Sequence, residues 1–113
     1  MTPEEKQLLL KDLCARLPYN VVIHCTDNDT DYKCFLTTDI LNELLYNIEY
    51  YDYKPYLRPM SSMTEAEEIY YNTIYTTLKF YEKEDWLNAH HFDFRGLIPL
   101  ELSDKAPKDM YKV

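Results

Sequence analysis

The sequence predicts one α+β domain spanning residues 1–113, with a small antiparallel sheet made of a β-hairpin and a third strand. Two longer helices and one or two short ones pack with it. Three observations carry this. An apolar stripe of helical period follows a capping box at Thr2. Two β-branched and aromatic runs flank a polar turn at 26–31. The 113 residues are 46% apolar and 28% charged, an ordinary globular balance for one core.

The first helix is expected over Pro3–Arg16. Thr2 supplies the cap, Pro3 the first helical position and Glu5 the reciprocal carboxylate three residues after the cap. Leu9, Leu10, Leu13, Cys14 and Leu17 recur at three- and four-residue steps, and Pro18 stops the helix. Val21–Cys25 and Tyr32–Leu36 then read as hairpin strands around Thr26–Asp31. A short helix is expected over Asp39–Tyr46 behind a Thr37-Thr38-Asp39 cap, and a third strand over Ile48–Tyr53.

Lys54–Pro59, with two prolines, reads as an extended connection. Thr64 and Glu67 form a second capping box, with Ser62 and Glu65 as an alternative start. A helix over Glu65–Glu82 would bury Tyr71, Ile74, Tyr75, Leu78 and Tyr81. A competing reading makes Thr73–Tyr81 a strand, because threonines and aromatics alternate there. A short helix over Asp85–His91 leads to Gly96, the chain's one glycine, where a positive φ is expected. The 103–113 segment should lie on the surface, held by Met110 and Tyr111.

Composition excludes several function classes. A single glycine cannot build a P-loop or a dinucleotide fingerprint, which need several. A net charge of −8 argues against direct nucleic-acid or membrane binding, which needs a basic footprint. The acids serve solubility, or else they mimic a phosphate backbone to occupy a nucleic-acid-binding protein. The acidic N-terminal stretch and the short apolar runs place the protein in the cytoplasm. Cys14, Cys25 and Cys34 lack metal-site spacing and read as reduced, mostly buried thiols. A Cys25–Cys34 bridge would require an oxidising compartment.

Lys54-Pro55-Tyr56-Leu57-Arg58-Pro59-Met60-Ser61-Ser62-Met63-Thr64 and the stretch from Trp86-Leu87-Asn88-Ala89-His90-His91 through Phe92-Asp93-Phe94-Arg95-Gly96-Leu97-Ile98-Pro99, with Ala106–Tyr111 beyond, carry a likeness. The second half of the chain resembles a group of small uncharacterised proteins of gut Bacteroides-group bacteria and their phages and prophages. The resemblance implies a context and no mechanism.

Lys54, Tyr56, Arg58, Ser61 and Ser62 precede a predicted helix N-terminus, where free N–H groups and the helix dipole favour an anion. His90, His91 and Arg95 would complete such a site if the last helix packs beside it. In the alternative, Ser62 or Thr64 only caps the helix and Arg58 pairs with Asp52 or Asp93. Adjacent histidines point about 100° apart on a helix, so His90 and His91 do not make a shared metal site. The Asp27–Asp31 stretch lacks the glycine and the final glutamate of a calcium loop. Neither a metal nor a cofactor is expected, and no catalytic residue stands out, since a nucleophile needs a base and an orienting partner that no local spacing supplies.

The expectation is a small non-catalytic binding or regulatory protein of bacterial or phage origin. Its partner would be a protein or a small anionic, nucleotide-like ligand whose capture would serve counter-defence. An acidic inhibitor of a nucleic-acid-binding protein and a small enzyme are the alternatives. Twelve tyrosines leave homodimer formation open, because tyrosine suits surfaces that are dry on one edge and wet on the other.

Overall fold

The computed structural model describes residues 2–27, 30–47, 52–77 and 80–111. Helix α1 (Pro3–Arg16) is followed by a 3-10 turn at Leu17–Tyr19, strands β1 (Val22–Asp27) and β2 (Thr30–Phe35), and helix α2 (Thr38–Asn47). Strand β3 (Asp52–Pro59) leads through a 3-10 turn at Met60–Ser62 into α3 (Glu65–Thr77). Helix α4 (Phe80–Ala89) and the two-residue strands β4 (Phe92–Asp93) and β5 (Asp104–Lys105) complete the fold.

The sheet is mixed. β1 pairs antiparallel with β2 and with β3, and β3 takes β4 and β5 as short parallel partners. The α+β expectation therefore holds, with the hairpin in place. The third strand lies further along the chain than the Ile48–Tyr53 run suggests, and residues 48–51 fall outside the described residues. Lys54–Pro59, expected as a connection, is itself most of β3. Both prolines fit because their fixed φ suits extended backbone, and Pro55 contributes through its carbonyl, which accepts from Ser103 Oγ at 2.8 Å.

The β1–β3 ladder ends at Ile23↔Pro55. One step further, between Val22 and Tyr56, the Tyr111 hydroxyl spans the gap. It accepts from the Val22 N–H and donates to the Tyr56 carbonyl, each at 2.8 Å. Tyr111 thus ties the closing segment of the chain into the sheet, and β1 and β3 keep their backbone groups satisfied where their own pairing stops.

The core gathers Leu9 and Leu13 of α1, Val21, Ile23, Cys25, Leu36, Leu41 and Leu44 of α2, Tyr53, Leu57, Leu97 and Leu102. Two parts of the helix reading need correction. In α1, Cys14 is exposed, and the face shared with Leu9 and Leu13 instead buries Asp12 and Arg16 completely. The two charges are tolerated because they pair, Arg16 Nε donating to Asp12 Oδ2 at 2.8 Å. In the tyrosine-rich helix, no described side chain of α3 belongs to the core cluster, and the side chains of 74–77 lie outside the described residues.

Residues 73–77 and 80–81 are helical, against the competing strand reading, while 78–79 lie outside the described residues. The helix expected over Asp85–His91 begins earlier, at Phe80. Tyr81, expected inside, is exposed, and Ile74, Tyr75 and Leu78 are not among the described side chains. Gly96 has φ +80° as expected. No described helix is long and apolar enough to cross a membrane.

Candidate functional site

The candidate anion residues come from two stretches of chain, and the fold brings only part of them together: the Arg58 N–H donates to the His91 carbonyl at 2.7 Å and Arg58 Nη1 donates to the His90 carbonyl at 3.4 Å. Lys54, Tyr56 and Arg58 alternate along one face of β3. Tyr56 stacks on His24 with ring centroids 5.7 Å apart and takes the Lys33 ammonium over its ring at 5.3 Å. Ser61 turns to a shallow hollow of about 250 Å³ beside Met60, Met63 and Tyr71. Ser62 lines a different, open cleft of about 560 Å³ with Arg58, Pro59 and Thr64.

Arg58 is already engaged. Its guanidinium grips Glu67 with two donors, Nη2 to Oε1 at 2.6 Å and Nη1 to Oε2 at 2.8 Å, and lies 4.2 Å over the Phe92 ring. Of the two acids weighed from sequence as partners, the side chain of Asp52 lies outside the described residues, and Asp93 is engaged elsewhere. Asp93 accepts the Leu97 and Ile98 N–H groups.

Glu67 is the N3 residue of the second capping box, so one buried carboxylate both holds Arg58 and accepts the Thr64 N–H at 3.0 Å, while Thr64 Oγ1 accepts the Glu67 N–H at 3.2 Å. The Arg58 hydrogen bonds, seconded by the Thr64 N–H and opposed by burial, hold the Glu67 carboxyl at about 2, well below its usual 4.5.

Arg95 points elsewhere. Its Nη1 donates to Asp12 Oδ1 at 2.7 Å and to Asn88 Oδ1 at 3.1 Å. Asp12 therefore ties Arg16 and Arg95 together between α1 and the chain after β4, and Arg16 Nη2 donates to the Phe92 carbonyl at 2.6 Å. Arg16 Nη1 and His91 Nδ1 are buried without a hydrogen-bond partner. His91 lies flat on Tyr111 at 3.8 Å between centroids, and burial, aided by the Arg16 charge, pushes its pKa down to about 4. His90 packs against Trp86 at 4.6 Å, and burial lowers its pKa as well.

His24 has both ring nitrogens in use. Nδ1 lies 2.7 Å from Asp104 Oδ2 and Nε2 lies 3.2 Å from Asp31 Oδ1. The Asp104 hydrogen bond is the main cause of its raised pKa. A histidine held this way clamps β1 to β2 and β5, and neither nitrogen is left to act as a base.

The far wall of the larger cleft comes from a stretch expected to be surface tail: Lys105, Pro107, Lys108, Asp109 and Tyr111. Lys105 and Lys108 are exposed. Their facing of Ser62 and Thr64 could not be found by spacing, because nothing local joins residues 58–64 to 105–111. Among the described residues, no group of three or more His, Cys, Asp or Glu could hold a metal ion.

A different surface shows beyond these residues. Tyr70 lies 5.4 Å and Tyr71 6.0 Å from Trp86, whose ring is 5.8 Å from the fully buried Phe92. An aromatic column thus runs from the core outward to α3, where Ile69 and Tyr70 are 62% and 49% exposed. The surplus of tyrosine was its only sequence signal.

Comparison with protein-family profiles, with curated proteins and with solved structures finds no match to this chain.

Proposed function

We propose that the chain is a small non-catalytic binding protein that recognises a protein partner through the aromatic face of α3 and α4. The observation that supports this reading is the placement of α3. Of its side chains from Glu65 to Thr73, only Glu67 is buried, while Ile69 and Tyr70 are 62% and 49% exposed, and Tyr81 of α4 is 57% exposed. Exposed aromatic and large apolar groups joined to a rigid core are what protein interfaces use, because they bury much area at little entropic cost.

The engagement of Arg58 by Glu67 and of Arg95 by Asp12 weighs against a small-anion site built on those two cations. A bacterium or its phage, and the cytoplasm as compartment, are the proposed setting, the compartment resting on the acidic N-terminal stretch and the short apolar runs.

The test is an Ile69→Asp, Tyr70→Asp double variant, followed by native mass spectrometry for self-association and by quantitative capture of partners. Thermal stability should fall by about 1–2 kcal/mol, because Tyr70 also packs on Trp86, while association falls at least tenfold, more than that loss of stability accounts for. Equal association by variant and wild type would overturn the reading. A heat of binding for inorganic phosphate, abolished by Lys105→Ala with Lys108→Ala, would move it to the cleft.

A further inference from the structure

Strand β2 is an edge of the sheet and is largely exposed. Apart from the half-buried Cys34, every residue from Thr30 to Phe35 is exposed, including the large side chains Tyr32 and Phe35. Its attachments include the ladder to β1, the polar links of Asp31 to His24 and Thr26, and the Lys33 ammonium over the Tyr56 ring. An edge so exposed is free to fray or to pair with another chain.

Against this background the two cysteines of the hairpin are placed to matter. Cys25 stands opposite Tyr32 and Cys34 opposite Ile23, so the thiols are diagonal neighbours on one face of the hairpin. Their sulfurs are 3.1 Å apart. A disulfide bond is about 2.0 Å long, so closing it needs a movement of about 1 Å. Cys14 lies on α1, exposed and apart from the pair.

We propose that Cys25 and Cys34 are a modification site, at which a low-molecular-weight disulfide such as oxidised glutathione converts the two thiols into an internal disulfide that staples β2 to β1. The half-buried Cys34 is the point of entry. Its thiolate attacks one sulfur of the external disulfide, forming a mixed disulfide and releasing one thiol. Cys25 then gives its proton to solvent and attacks the Cys34 sulfur, releasing the second thiol. Two S–H bonds are exchanged for one S–S bond, and the external disulfide is reduced to two thiols.

Burial first, and then the contact with Cys34, push the Cys25 thiol up to about 12. Burial keeps the Cys25 thiol protonated, so the second step accelerates as pH rises. The product fixes the strand register as well, because a one-residue slip would turn either cysteine to the opposite face.

The experiment treats the purified protein with oxidised glutathione, alkylates the remaining thiols in denaturant, and reads intact mass and peptide map. The expected product lacks two hydrogens, joins the peptides of Cys25 and Cys34, and keeps Cys14 alkylated or glutathionylated. Dithiothreitol restores three alkylated thiols. Cys14→Ser should give the same crosslink, and Cys34→Ser, a near-isosteric change at a half-buried site, should abolish it while leaving Cys25 alkylated. Wild-type protein whose Cys25 stays alkylated while Cys34 carries glutathione, or whose Cys25 and Cys34 both stay alkylated, would overturn the proposal.

Discussion

Helices α1 and α3 begin alike and end in different surroundings. Each opens with threonine, and each has a glutamate at N3 that completes a reciprocal capping box. They differ by one residue in length, 14 against 13. Yet α1 buries Leu9, Asp12, Leu13 and Arg16, whereas Glu67 is the only buried side chain described in α3. A cap decides where a helix starts. What the helix packs against is decided by the face behind the cap, and in α3 that face meets the rest of the molecule mainly through Arg58 and the aromatic column.

The hardest blow to this contrast falls on α1. Asp12→Ala removes the carboxylate shared by Arg16 and Arg95 and leaves a fully buried guanidinium uncompensated. It should cost about 3–5 kcal/mol, read as a drop in the urea midpoint. A cost under about 1 kcal/mol would mean that α1 is held by its leucines alone.

Acid tests the anchor of α3. The Glu67 carboxyl sits at about 2 in the folded chain against 4.5 ordinarily. Its contribution is therefore present above pH 4.5 and disappears as pH falls from 4.5 to 2. Glu67→Gln should be less stable than wild type by about 3 kcal/mol at neutral pH, with the gap closing across that window. His91, lowered from 6.5 to about 4, acts higher up: the unfolded chain takes its proton first, so stability declines between pH 6.5 and 4 in both proteins. A gap between the two proteins that stays constant with pH would refute the Arg58–Glu67 anchor.

The caps give the smallest and most direct comparison. Thr2→Ala should cost about 0.5–1 kcal/mol, and Thr64→Ala about 1–2 kcal/mol, because Glu67 also orients Arg58. Equal costs in thermal unfolding would mean that the second capping box works independently of the ion pair.

Both caps, the hairpin and the positive φ of Gly96 are legible in the sequence because each depends on residues a few positions apart. The central strand is not, since Pro55 and Pro59 argue against a strand until a partner shows which backbone groups go unused. The burial of Asp12 and Arg16 is not legible either, because charge ordinarily excludes it, although their spacing places them beside Leu9 and Leu13. The separation of Arg58 from Arg95 and the opposition of Ser62 to Lys108 depend on how distant segments pack, which no local period records.

The Tyr111 hydroxyl that bridges Val22 and Tyr56 also bears on the order in which the molecule assembles. The hairpin closes over a few residues and can form within about 1–10 μs. The tyrosine bond joins positions 89 residues apart and must wait until the intervening chain has folded back. The inner seam between β1 and β3 is thus closed at its end by a contact that depends on the far end of the chain, unlike the hairpin beside it.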